Sequence, residues 1–159
     1  MAKNTKKKPS YAGFPQSGKH PGYITAPPEG KNPVAVPVPW RDDNPSWRIA
    51  KLELLGPYGW MEVDAGKLLD IRQKLANYES MTWKEILKDH DHNHDVAVHR
   101  IESDARKRLD AIGLGTLEEI FRLRLTGTER VWGLRIGSVL HIIWWDPDHQ
   151  ICKSKKKHT

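Results

Sequence analysis

The chain has 159 residues, 38% hydrophobic and 29% charged, which suits one globular domain and is too little for two comfortable ones. Its formal net charge of +6 is uneven: residues 1–33 hold six lysines against one acid and residues 150–159 four lysines against none, so the two ends carry +9 and the middle −3. A single cysteine, Cys152, excludes an internal disulfide and a cysteine-based zinc cluster; no apolar run approaches the ~20 residues that cross a bilayer, and the first residues lack the apolar core of a secretion signal. A cytoplasmic protein with no membrane partner is expected.

Residues 1–45 read as a flexible, disordered leader, because nine prolines from Pro9 to Pro45 remove backbone donors and bar the α region before them. Within it Val34, Val36, Val38 and Trp40 alternate, a pattern that also suits an arm packed on the domain. The lysines of the leader suit solvated disorder or loose attraction to phosphate.

Residues 46–152 are expected to form a single α+β domain, followed by a basic tail at 153–159. WRIAKLELL from Trp47 suggests a strand and GPYGW a turn to Trp60. Asp64 is then a plausible N-cap for a helix carrying Leu68, Leu69, Ile71, Leu75 and Tyr78 at helical spacing. Thr82 and Glu85 have capping-box spacing for a second, short helix with Trp83, Ile86 and Leu87 on its apolar side. DHDHNHD at 89–95 is too polar for a core element, and VAV at 96–98 suits a short strand. A helix from Ile101 follows, with Ala105, Leu109 and Ile112 on one face and Gly113 just past its end, and Thr116 with Glu119 gives another capping-box spacing.

From Phe121 the runs FRLRL, ERVWGLRI and VLHIIWW are separated by the turns TGT and GS, which predicts a C-terminal antiparallel meander preceded by helices. Period-2 alternation places Leu140, Ile142 and Trp144 on one face of the third strand and Trp132, Leu134 and Ile136 on one face of the second. With those as core faces, Arg122, Arg124, Arg135 and His141 share an open face, provided no one-residue bulge breaks the register. Guanidinium groups bind phosphate as a fork and stay charged, and an imidazole moves protons near neutral pH, so these four are the candidate catalytic set for cleaving a phosphodiester by attack of a ribose 2′-hydroxyl.

Trp144 and Trp145 are adjacent, so one faces the core and Trp145 is a candidate to stack on a base. DPDH at 146–149 reads as a structural type I turn. Lys155, Lys156, Lys157 and His158 lie beside the open face if a final strand near Ile151 joins the sheet, which makes Lys155, Lys156 and His158 candidate RNA contacts. His90, His92, His94 and His99, interleaved with Asp89, Asp91 and Asp95, meet no fixed ligand spacing; a metal site, a general base and a plain polar loop are the alternatives, and no metal or other cofactor is expected.

RLRLTGTERVWGLRIGSVLHIIWWDPDHQICKSKKKHT resembles the C-terminal half of a group of small bacterial proteins with an arginine-rich strand, an RVWG segment, a WWDP turn and a KKHT-type ending. Its element order is similar to that of the RelE/ParE superfamily of toxins, in which helices precede an antiparallel sheet and the segment matching Arg130 to Gly137 reads roughly R-x-R-x-G. The resemblance implies a messenger-RNA endonuclease, ribosome-associated and silenced by an antitoxin partner. Arg135 and Gly137 are the best matches, Arg130 is an RNA-binding candidate, and Lys156 and His158 are tail candidates. The proline-rich leader, the histidine string and a meander without tyrosine depart from the pattern, and the ParE branch acts on DNA gyrase instead of RNA. The expectation is a toxin-like endoribonuclease that needs no metal, with a non-catalytic nucleic-acid- or protein-binding module and a metal-dependent hydrolase built on the histidines as alternatives.

Overall fold

The computed structural model describes residues 40–153; positions 1–39 of the leader and 154–159 of the tail, with Lys155, Lys156 and His158, lie outside the described residues. In chain order come a 3-10 turn at Trp40–Asp42, β1 (Ser46–Arg48), α1 (Ala65–Glu79), α2 (Trp83–Ile86), β2 (His94–Ala97), a 3-10 turn at Val98–Arg100, α3 (Ser103–Ala111), β3 (Glu119–Arg124), β4 (Arg130–Ile136) and β5 (Val139–Asp146). They form an α+β fold around a mixed sheet of order β1-β5-β4-β3-β2. β1 runs parallel to β5, and the other pairings are antiparallel.

Local chemistry accounts for most boundaries. The Asp64 carboxylate accepts the Lys67 N–H at 2.9 Å and caps α1. Thr82 and Glu85 make both bonds of the capping box that opens α2. Gly113, at φ 76°, takes the left-handed conformation that stops the chain just past α3. Two expectations change. The Thr116–Glu119 spacing starts no helix, because Glu119 already opens β3, where Ile120, Phe121 and Leu123 are all buried. And only Ser46–Arg48 of the WRIAKLELL run pairs as strand, since the chain turns at once through a Leu52 N–H bond to the Ile49 carbonyl. The folded unit also begins earlier than residue 46: Trp40 packs against the core and Pro45 is buried.

Both faces of the sheet are covered. On one, Ile71 of α1 and Trp83 and Ile86 of α2 pack on Phe121, Leu123, Val131, Leu140, Ile142 and Trp145. On the other, Ala105 and Leu109 of α3 pack on Ile120, Trp132, Ile143 and Trp144. Each fully buried indole contributes about 5 kcal/mol of transfer free energy, so Trp132 and Trp144 alone make an uncovered second face untenable.

The switch lies in β5. Trp132 pairs with Trp144 but Gly133 pairs with Ile142, leaving Ile143 as an extra residue. Upstream of this bulge Leu140 and Ile142 face α1 and α2; downstream Trp144 faces α3 and Trp145 the other side. Gly133 is required there, because a Cβ would stand 2.3 Å from the His141 carbonyl oxygen.

Candidate functional site

The β3–β4 register, with Arg122 beside Trp132, divides the predicted arginine set. Arg122 and Arg124 of β3 point to the α3 side, and the register sets Arg124 opposite Arg130 and Arg122 opposite His94 of β2, so these four share one end of that face. Arg135 lies on the other side. Its guanidinium stacks 4.0 Å from the centre of the Trp40 ring and donates to Asp95 at 2.9 Å, which takes it out of any open surface. His141 shares the face of Arg122 but pairs with Leu134 and with Arg48 of β1, at the far edge of the sheet. Trp145 is 6% exposed with its ring centre 6.0 Å from that of Trp60, so the expected base-stacking surface is core packing. Ile151 is buried and outside any strand, its carbonyl accepting from the Glu102 N–H over α3.

The segment at 89–95 is the main surprise. Asn93 is buried, donates to the Ile86 carbonyl at 3.2 Å and accepts the Arg124 N–H at 2.8 Å, which locks the histidine string to the sheet edge. Arg122 reaches over this turn, donating from Nε to the His92 carbonyl at 3.3 Å and from a terminal nitrogen to the Asp91 carbonyl at 2.7 Å. Its other terminal nitrogen stands 3.4 Å from His149 Nε2. Arg130 donates to the carbonyls of Thr126, Gly127 and Glu129 in the β3–β4 hairpin, and its Nε is buried with no partner.

Between these groups lies a cleft of about 1120 Å³. His90, His92, His94, His99 and His149 line it, together with Arg100, Arg122, Arg130, Lys153, Asp91 and Cys152. Arg122 and Arg130 are 8% and 3% exposed, and among the described residues neither they nor Arg124 form an ion pair with a carboxylate. Burial, followed by repulsion from Arg122 and Arg124, lowers the Arg130 pKa from its ordinary value. Burial, then the Arg122 guanidinium, lowers His94; burial, then Arg130 and Arg122, lowers His149, so both imidazoles are neutral at pH 7. A buried guanidinium facing like charges gains by meeting an anion, and the fork of Arg122 and Arg130 suits a phosphate.

His149 is also, among the described residues, the non-glycine residue with a positive φ, at 56°. The buried Asp146 carboxylate imposes this turn by accepting the N–H groups of Gln150 at 2.8 Å and Ile151 at 3.1 Å. Reading DPDH as purely structural missed that it brings an imidazole back over Arg122. His92 and His94 belong to the string for which a metal site, a general base and a polar loop are the alternatives; starting the strand at His94 instead of Val96 sets His94 opposite Arg122. No three acidic, histidine or cysteine side chains among the described residues are arranged to hold a metal ion. Compared with known proteins, the chain matches no family model, no curated protein and no solved structure.

Proposed function

We propose that this protein is a toxin-like endoribonuclease that binds and cleaves an RNA phosphodiester in the cleft between the β3–β4 hairpin, the histidine turn and His149. The observation that carries this reading is the pair of buried guanidinium groups, Arg122 and Arg130, which have no carboxylate partner among the described residues and line one cleft with five imidazoles. Arg122 and Arg130 hold the phosphate and stabilise the charge that develops on it, and Arg124 adds to the field from the adjacent register position. A RelE/ParE-type identity, with messenger RNA as substrate, the ribosome as its setting, an antitoxin as inhibitor and the cytoplasm as location, belongs to the same proposal. Its support is the element order, with α1 and α2 preceding the antiparallel β2 to β5 ladder. Relative to the original set, Arg135 and His141 leave the catalytic role and Arg130 enters it.

The purified full chain, incubated at low salt with an end-labelled single-stranded RNA, is expected to give discrete cuts, and Arg122→Ala to slow cutting by about 10²–10³-fold. Salt-sensitive binding with no product would replace the enzyme by a binding module, since phosphate contacts weaken with ionic strength while chemistry is absent. Neither binding nor cleavage would end the proposal.

A further inference from the structure

We infer that His92, oriented by Asp89, is the proton acceptor for the attacking ribose 2′-hydroxyl; this rests on the endoribonuclease reading above and names the residue that starts its chemistry. The turn that carries the pair is fixed by backbone: the N–H groups of His92 and Asn93 both bond the Asp89 carbonyl, at 3.1 and 2.9 Å. The Asp89 carboxylate stands 2.6 Å from His92 Nδ1. With Nδ1–H donating to that carboxylate, Nε2 carries the free lone pair, the arrangement in which a neutral imidazole removes a proton.

Position supports the assignment as much as orientation does. The phosphate-binding guanidinium of Arg122 donates to the carbonyl of His92 itself, so a phosphate held on Arg122 is tied to the same residue whose ring takes the proton. The two imidazoles nearest Arg122 are less suited. His149 Nε2 already faces Arg122, and His94 Nδ1 is buried with no partner on a strand next to that guanidinium. His92 is more than a third exposed, so its ring reaches the cleft without moving the core.

The step balances as an internal transesterification. The 2′-hydroxyl proton passes to His92 Nε2 while the 2′-oxygen forms a bond to phosphorus, and the bond from phosphorus to the 5′-oxygen breaks with its electron pair on that oxygen. The 5′-oxygen takes a proton from water at the mouth of the cleft, leaving a 2′,3′-cyclic phosphate and a 5′-hydroxyl. His92 then returns its proton to solvent, and no redox partner or metal is consumed.

The test uses the full chain and an RNA oligonucleotide with a single preferred cut, beside the same oligonucleotide carrying a 2′-deoxy nucleotide at that position. His92→Ala is expected to lower kcat by about 10²–10⁴-fold with KM changed by less than about threefold, and added imidazole to restore part of the rate. Asp89→Ala is expected to lower kcat about tenfold by the same criterion, with Asp89→Glu recovering part, and the 2′-deoxy substrate to resist cutting. Both side chains are solvent-exposed at the surface, so unfolding midpoints equal to the unsubstituted chain are expected. If Arg122→Ala abolishes cutting while His92→Ala turns over normally, or if His149→Ala alone carries the loss, the assignment of His92 is overturned and the endoribonuclease reading stands. A chain that never cuts RNA removes both.

Discussion

Substituting Asp146 probes how the end of β5 is tied to the cleft. The side chain is 1% exposed and accepts three hydrogen bonds: Gln150 N–H on Oδ1 at 2.8 Å, and on Oδ2 Ile151 N–H at 3.1 Å and Trp132 Nε1–H at 3.3 Å. Asp146→Asn keeps one oxygen, which serves the two donors on the Oδ2 side, and turns an NH₂ toward the Gln150 N–H. One donor is orphaned and the two surviving bonds lose their charge assistance, a cost of about 2–3 kcal/mol. Asp146→Ala orphans all three and costs about 3–5 kcal/mol. For a folded unit of this size that lowers the thermal midpoint by about 10 °C in the asparagine variant and more in the alanine variant. Urea unfolding followed by tryptophan fluorescence measures the loss directly, and an unchanged m-value shows that the folded state keeps its extent. Because the same carboxylate sets the positive φ of His149, Asp146→Asn should also disturb the His149 imidazole resonance in a two-dimensional NMR spectrum. A variant as stable as the unsubstituted chain, with that resonance in place, would refute the idea that Asp146 holds the turn.

Other expectations follow from the same geometry. Gly133→Ala should destabilise by about 3 kcal/mol, since its Cβ meets the His141 carbonyl at 2.3 Å, and equilibrium unfolding reads the effect. Arg135→Ala should lower stability by releasing Trp40 and Asp95 yet leave RNA affinity nearly unchanged, whereas Arg122→Ala should weaken affinity and flatten its salt dependence in a titration series. His94, His141 and His149 are lowered from 6.5 in the folded state, so on acidification below about 6.5 the unfolded chain takes up protons that the folded chain resists; stability is full above 6.5 and declines as pH falls toward the folded values. The lowered carboxyls Asp70, Glu85 and Glu129 act only below their ordinary 3.8 to 4.5, so a decline between pH 6.5 and 5 that persists undiminished in His149→Gln would count against that assignment.

Elements whose signals are local were legible in the sequence. The cap of α1 at Asp64, the reciprocal box of α2 and the three meander strands each depend on residues within a few positions of one another. What failed depends on distant partners. The Thr116–Glu119 spacing is as good a cap as the one at Thr82, and only the burial of Ile120, Phe121 and Leu123 between two helical layers makes it a strand entrance. Alternation in VLHIIWW cannot reveal that Ile143 is an extra residue, because the offset exists only against β4. The β3–β4 register is equally non-local: it sets Arg122 beside Trp132 and so leaves Arg135, three residues further along β4, on the opposite face. The polar string at 89–95 hid a buried side chain because Asn93 is satisfied by the Ile86 carbonyl and the Arg124 N–H, both remote in sequence.

Of the acids, Asp91 lines the cleft, while five others are engaged elsewhere. Glu129, adjacent in sequence to Arg130, is taken by Lys67 and Lys74 of α1, at 2.5 and 3.5 Å. Asp95 is bound to Arg135 on the opposite face, Asp89 to His92, and Glu53 to Arg108 and the Trp144 indole. Asp146, the charge that opposes the crowding of Arg122 and Arg130, spends its oxygens on three N–H groups and forms no ion pair with them. Arg122, Arg124 and Arg130 are left with backbone carbonyls, which satisfy donors but do not neutralise charge. Leaving guanidinium groups buried and uncompensated costs stability that a purely structural role would not require, since an apolar residue would fill the same space at lower cost. An arrangement that gives none of these carboxylates to Arg122, Arg124 or Arg130 therefore argues for an anion, supplied from outside, as the missing counter-charge.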